Sequence, residues 1–230
     1  MTRALLIVDV QNDFTEGGAL GVQGGIATAE RITRFLAAHG PEYDLVVGSR
    51  DWHHGDDDNG GHFAPEPDFV TTWPVHCVGG TPGAEYHPAL DTTGFDVHVR
   101  KGQGEPAYSA FEGTDDTGRT LRAVLSEAAV NAIDIVGIAT DHCVRATALD
   151  GIAAGFDVRV FDDLVAGVAP DSSAAALVEV RAAGATVVPS ARGTTATAAT
   201  PATAATAATA VTAATAAAAA TAEPTEQEER

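Results

Sequence analysis

Cysteine is scarce in this 230-residue chain: Cys77 and Cys143 are the only two, far apart and in no CxxC pair. That excludes a disulfide framework and a cysteine-built zinc knuckle, and it leaves a thiol free for chemistry. Basic residues are also few, 13 Lys and Arg against 32 Asp and Glu, for a formal net charge of −19. Such a surface repels phosphate backbones and anionic membranes, so neither nucleic acid nor a membrane is expected as a partner. A long hydrophobic run is missing as well. The opening MTRALLIVDV carries one Arg and an apolar stretch interrupted by Asp9, too short for a signal-peptide core or a membrane span. It reads as a first buried strand of a cytoplasmic protein.

What is present is an alternation of strand and helix patterns. Short apolar runs rich in branched residues recur at Ala4–Val8, Leu45–Gly48, Val97–Val99, Ile133–Ile138, Val158–Phe161 and Thr186–Val188. Helical periodicity lies between most of them, at Ala27–Ala38, Gly118–Ala129, Asp141–Ala154 and Pro170–Ala183. The first places Ile32, Phe35 and Leu36 on one face, the second Leu121, Val124, Leu125 and Ala128, and the last opens on Asp171-Ser-Ser as an expected cap. Strands apolar on both faces, alternating with helices, predict a three-layer α/β/α domain with a mostly parallel sheet of about six strands. The expected domain spans residues 1–192. From Thr194 to Ala222 every residue is Ala or Thr except Pro201 and Val211, so 193–230 is expected to be a low-complexity, disordered and dispensable tail.

In sheets of this kind ligands bind at the carboxyl ends of the strands. Asp9 ends the first predicted strand, Asp51 follows the second, Lys101 the third and Cys143 the fourth. Cys143 falls in the first turn of a helix, where free amides and the helix dipole are expected to lower a thiol pKa from about 8.5. A lone cysteine is ordinarily packing. Charges at the ends of buried strands need partners, which makes Asp9 and Lys101 expected neighbours, with Asp9 as base to the thiol and Lys101 favouring the thiolate. The long segment Asp51–Gly94 interrupts the alternation and holds His53, His54, His62, His76 and His87 with Cys77 and Trp73. Its Trp, Phe and Pro content argues for order. Three imidazoles and a carboxylate suit a borderline divalent ion such as zinc, iron or manganese. His53 is preferred to its neighbour His54 because residues two apart from Asp51 in extended chain share a side. Asp56 to Asp58 read as solvated, and Cys77 as a packed bystander.

The segments IVDVQNDFTEGG, SRDWHHGDDDNGGHF, WPVHCVGGTPGAEYHP, KGQGEPAYSAFEG and GIATDHCVRATALDG, in that order over roughly Met1 to Arg192, resemble the nicotinamidase/pyrazinamidase family of isochorismatase-like hydrolases. The resemblance implies a catalytic set of Asp9, Lys101 and Cys143, and a cis peptide between Ile138 and Ala139. It also implies an oxyanion hole from the amides of Ala139 and Cys143, and a divalent metal on Asp51, His53, His62 and His76. Phe14, Trp73 and Tyr108 match the family's ring-contacting aromatics. The implied activity is hydrolysis of nicotinamide, and of pyrazinamide, to the acid and ammonia through a Cys143 thioester, in pyridine nucleotide salvage. The metal would hold the ring nitrogen. Two other readings remain open at this point: a relative acting on a carbamoyl or ureido substrate, and a non-catalytic metal- or nicotinamide-binding protein on the same scaffold.

Overall fold

The computed structural model describes residues 1–193. The expectation of a disordered tail from Thr194 onward lies outside the described residues. Six strands form one sheet: β1 (Arg3–Val8), β2 (Leu45–Asp51), β3 (Val97–Lys101), β4 (Ala132–Ile138), β5 (Asp157–Ala166) and β6 (Thr186–Val188). Their order is β3-β2-β1-β4-β5-β6, and every pairing in it is parallel. The helices are α1 (Gly25–His39), α2 (Leu121–Glu127), α3 (Arg145–Ala153), α4 (Pro170–Ala183) and the short α5 (Ser190–Gly193).

The three layers follow from the period-2 alternation of β1. Ala4, Leu6 and Val8 join a core with Leu121 and Leu125 of α2, Ala148 of α3 and Val180 of α4. Leu5 and Ile7 point the other way, into a core with Ala29, Ile32 and Phe35 of α1 and with Cys77, Ala84 and Leu90 of the long segment after β2. Each of these large apolar side chains contributes about 1.5–3 kcal/mol by leaving water. The expected faces are therefore the buried ones; Leu36 and Ala128 pack at their edges. No helix among the described residues is long and apolar enough to cross a membrane.

Three strands run on past the ends the sequence pattern gives them. β2 runs on to Asp51 and β3 to Lys101, so these charged residues lie inside the strands that were expected to precede them. β5 continues past Phe161 to Ala166 through exposed Asp162 and Asp163, which end the apolar run without ending the ladder. The Asp171-Ser-Ser cap is not formed. The cap position of α4 is Ala169, with Pro170 in the first turn, and the amides there go to Asp141: Val168 N donates to Oδ1 at 2.9 Å and Ala169 N to Oδ2 at 3.2 Å. A side chain distant in sequence took a role that local pattern assigned to a neighbour.

The histidine-rich segment is ordered, as its composition suggested. Isolated bridges join His53 to Val78, Phe63 to Trp73 and Gln11 to Tyr86, stitching it to itself and to the end of β1.

Candidate active site

The parallel sheet brings the C-terminal ends of β1, β2, β3 and β4 side by side. Asp9 follows β1 directly, with its backbone in the left-handed region at φ 49°. Across β2 and β3, Asp51 and Lys101 are register partners. After β4 the peptide Ile138–Ala139 is cis, and a π-type turn, Thr140–Val144, carries Cys143 into α3. Gly137 lets β4 come this close to β1: a Cβ there would lie 2.1 Å from Val8 O. No other residue could occupy that position without moving a strand.

Lys101 is buried, and its Nζ reaches Asp9, Asp51 and Cys143 alike. It lies 2.9 Å from Asp9 Oδ2 and 3.7 Å from Cys143 Sγ, it donates to Ala107 O at 3.5 Å, and it donates to Asp51 Oδ1. The expected Asp9–Lys101 pair is thus formed, and Asp51 joins it. Burial would lower the Lys101 pKa, but Asp51 and Asp9 together drive it well above the usual lysine value. Burial raises Asp9, opposed by Lys101. For Asp51 burial is outweighed by the attraction of Lys101, which holds the carboxyl well below its usual range.

The expected depression of the Cys143 pKa is corrected by the structure. Burial pushes this thiol well above its ordinary value; Lys101 opposes the rise, while Asp9 and Asp51 add to it and Asp9 accepts the thiol's hydrogen bond. A dry site with two carboxylates nearby outweighs the turn's dipole. The cation beside the sulfur is Lys101, whose Nζ lies 3.7 Å away.

Asp51 faces a second cluster with its other oxygen. Oδ2 is 3.6 Å from His53 Nε2 and 3.7 Å from His76 Nε2, and ligand atoms of His53, His62 and His76 all lie within 4.8 Å of one another. Backbone carbonyls set two tautomers: His53 Nδ1 donates to Gly102 O at 2.7 Å and His76 Nδ1 to Pro74 O at 2.8 Å, so both Nε2 lone pairs turn toward Asp51. The first approach depends on Gly102, where a Cβ would meet the His53 ring at 2.4 Å. His53 Nε2 and His62 Nδ1 are buried with no hydrogen-bond partner. Burial, with the charge of His53 and His76, lowers the His62 pKa to about 4. Buried ring nitrogens without partners around a carboxylate fit a divalent cation, because desolvated lone pairs are costly unless something accepts them. Phe63 lies against all three rings, at centroid distances of 5.0, 5.7 and 5.2 Å from His53, His62 and His76. His54 points away, exposed and 3.0 Å from Asp57. Asp56 to Asp58 are exposed, and Cys77 is buried with its thiol against Gly83 O.

Between thiol and histidines opens a cavity of about 320 Å³. Phe14, Trp73, Tyr108, Ala139 and Cys143 line it together with Asp51, His62 and His76, while Asp9, Lys101 and His53 stand behind its wall. Trp73 Nε1 donates to Tyr108 Oη at 2.9 Å, fixing the two rings.

Sequence reasoning passed over three contributors. His142 lines the cavity, edge-on to Trp73 at 5.2 Å and stacked with Tyr108 at 6.2 Å. Its adjacency to Cys143 was the available signal. Gln11 clamps Asp51 through the backbone, accepting from its N–H at 2.8 Å and donating to its carbonyl at 2.9 Å. Ser49 donates to Asp9 Oδ1 at 2.7 Å.

Comparison with known proteins identifies the family. The Isochorismatase domain family matches residues 3–192. The nicotinamidase/pyrazinamidase of Mycobacterium tuberculosis is 50% identical over 186 residues, covering 81% of this chain and 98% of the relative. A crystal structure of the pyrazinamidase of Pyrococcus horikoshii in complex with zinc superposes with a TM-score of 0.70 at 34% identity, over 82% of this chain and 99% of that one. A protein of L. infantum in complex with nicotinate does so with a TM-score of 0.71 at 33% identity, over 83% and 93%. By its fold and by these matches, the chain belongs to the isochorismatase family, among its nicotinamidase/pyrazinamidase members.

Proposed function

We propose that this protein is a nicotinamidase that hydrolyses nicotinamide to nicotinate and ammonia, and takes pyrazinamide as well. The observation that carries the reading is the position of Cys143 Sγ: it lines an aromatic cavity, 3.7 Å from Lys101 Nζ, and Lys101 Nζ is in turn 2.9 Å from Asp9. Such a cavity fits a flat heteroaromatic ring with its carboxamide over the sulfur.

Asp9 takes the thiol proton while Lys101 balances the charge, and the sulfur lone pair adds to the carboxamide carbon as the C=O π electrons move to oxygen. The amides of Ala139 and Cys143 receive that oxygen. The tetrahedral adduct collapses, the C–N bond breaks, and the nitrogen leaves as ammonia with the proton held on Asp9. Asp9 then removes a proton from water, the water oxygen attacks the thioester carbon, and the C–S bond breaks to restore the thiol and release the acid. Splitting amide hydrolysis this way replaces one high barrier with two lower ones.

Asp51, His53, His62 and His76 would hold one divalent ion, of zinc, iron or manganese type, and zinc accompanies the P. horikoshii relative. When bound it supplies a Lewis acid and a point of attachment for a ring nitrogen. This chain's own residues orient the ring through Phe14, Trp73 and Tyr108. The aromatic lining favours this substrate over a small carbamoyl or ureido compound, which would leave the rings without a partner. A cytoplasmic location and a role in pyridine nucleotide salvage belong to the same reading and fit two free cysteines.

The test is ammonia release from a carboxamide panel led by nicotinamide, with and without chelator. Nicotinamide and pyrazinamide should rank first, chelation should lower both, and Cys143→Ala should release none. Normal release by Cys143→Ala would overturn the scheme.

A further inference from the structure

Asp9 has two carboxylate oxygens in a dry site, and the reaction needs one of them aimed at the thiol. Oδ2 lies 2.9 Å from Lys101 Nζ, the group that also reaches Cys143 Sγ. Oδ1 accepts from Ser49 Oγ at 2.7 Å, and both residues are buried, Asp9 at 0% and Ser49 at 2% exposure. The contact is reciprocal, because Asp9 N donates to Ser49 O at 3.3 Å. Ser49 is placed for this by β2: two residues before Asp51, it faces the same side of the sheet, and the parallel ladder carries β1 past it. It is not among the residues that line the cavity.

A carboxylate torsion is broad and nearly two-fold, so an Asp held at one oxygen by a lysine alone can swing about that contact. A second donor at fixed distance stops the swing. We propose that Ser49 is a positioning residue for the reaction: its hydroxyl pins Oδ1 of Asp9 and thereby makes Oδ2 the oxygen that exchanges the proton with Cys143. Ser49 touches neither substrate nor sulfur and acts only through Asp9. Its loss leaves a buried acceptor unmatched and lets the base rotate away from the thiol, which slows every proton transfer in the scheme and leaves the cavity unchanged.

This inference rests on Asp9 being the base, and the experiment separates the two. Ser49→Ala, Ser49→Thr and Asp9→Asn are compared with the full-length wild type in steady-state nicotinamide hydrolysis. A second readout is the rate at which iodoacetamide labels Cys143, followed on its peptide by mass spectrometry so that Cys77 is not counted. Ser49→Ala should lower kcat by about 10- to 100-fold, the range for a hydrogen bond to a charged group. It should slow Cys143 labelling by a similar factor and leave KM within about 2-fold. Ser49→Thr, which keeps the hydroxyl, should restore both rates. If Ser49→Ala does not fold, Ser49→Cys, nearly the same size with a weak donor, should show the same paired loss. Wild-type kcat and labelling in the Ala or Cys variant, with Asp9→Asn inactive, would overturn the positioning role and leave Asp9 as the base. So would a loss of kcat with unchanged labelling. Activity retained by Asp9→Asn would instead overturn the reading of Asp9 on which the inference stands.

Discussion

Asp51 and Lys101 face each other across β2 and β3, and the carboxylate divides its oxygens between two centres. Oδ1 accepts from Lys101 Nζ, and Oδ2 faces His53 and His76 at 3.6 and 3.7 Å. The cation beside Cys143 and the histidine cluster are therefore joined through one side chain, whose backbone Gln11 holds on both sides. Asp51→Asn removes the charge and keeps the shape. The variant should lose bound metal and nicotinamide turnover together, the latter by at least about 100-fold. Removing one partner of a buried ion pair costs about 3–5 kcal/mol, and Asp9 remaining on Lys101 places this case at the lower end. Metal analysis, ammonia release and urea unfolding measure the three effects. A variant that kept its metal but lost activity would confine Asp51 to the lysine.

His53 and His54 give a matched pair for the histidine cluster. His53 is buried with Nδ1 on Gly102 O and Nε2 turned inward, whereas His54 is exposed beside Asp57. His53→Ala should abolish stoichiometric metal and chelator-sensitive activity. His54→Ala should retain both within about 2-fold, as surface substitutions usually do. Equal loss in the two variants would contradict the assignment.

The sheet and its covering helices were legible because both faces of β1 are buried, so that the run Ala4–Val8 carries no polar interruption. The site was legible as a set of residue types and as family motifs, but not as a wiring. That Asp51 meets Lys101 depends on the register of β2 against β3, and no pattern within either strand encodes it. The thiol's raised pKa depends on how completely the site excludes water, which spacing along the chain does not reveal. Asp141 in place of Asp171 at the start of α4 is the same lesson in a structural role: a tertiary partner displaced a local one.

Trp73 and Tyr108 form a jointed wall through the indole N–H on the phenol oxygen at 2.9 Å. Trp73→Phe keeps an aromatic face and removes the donor. It should raise KM for nicotinamide by about 3- to 10-fold, the range of one neutral hydrogen bond, with kcat little changed. Tyr108→Phe should do the same, and the double variant should show less than the sum, because both single changes remove one shared bond. Strict additivity in this cycle would show that the bond does not organise the wall.

Asp141 ties the turn that carries Cys143 to the start of α4, accepting from Val168 N, Ala169 N and Ser172 Oγ, and Val168 lines the cavity. Burial would raise this carboxyl's pKa, but the hydrogen bonds from Ser172, Val168 and Ala169 win and lower it. A carboxylate depressed in the folded state stabilises the fold fully above its unfolded pKa, about 3.9, and this contribution is lost as pH falls through the lower folded value. Asp141→Asn removes the charge and turns one acceptor oxygen into a donor facing a donor, and should therefore cost about 0.5–1.5 kcal/mol at pH 7, the range of one hydrogen bond. The difference between wild type and variant should begin to shrink below about pH 4, where the unfolded carboxyl takes up its proton while the folded one still resists it. Urea unfolding of both proteins between pH 7 and pH 3 measures the gap. A gap that stayed constant over that range would mean that the charge of Asp141 contributes nothing and that its shape alone seats the helix.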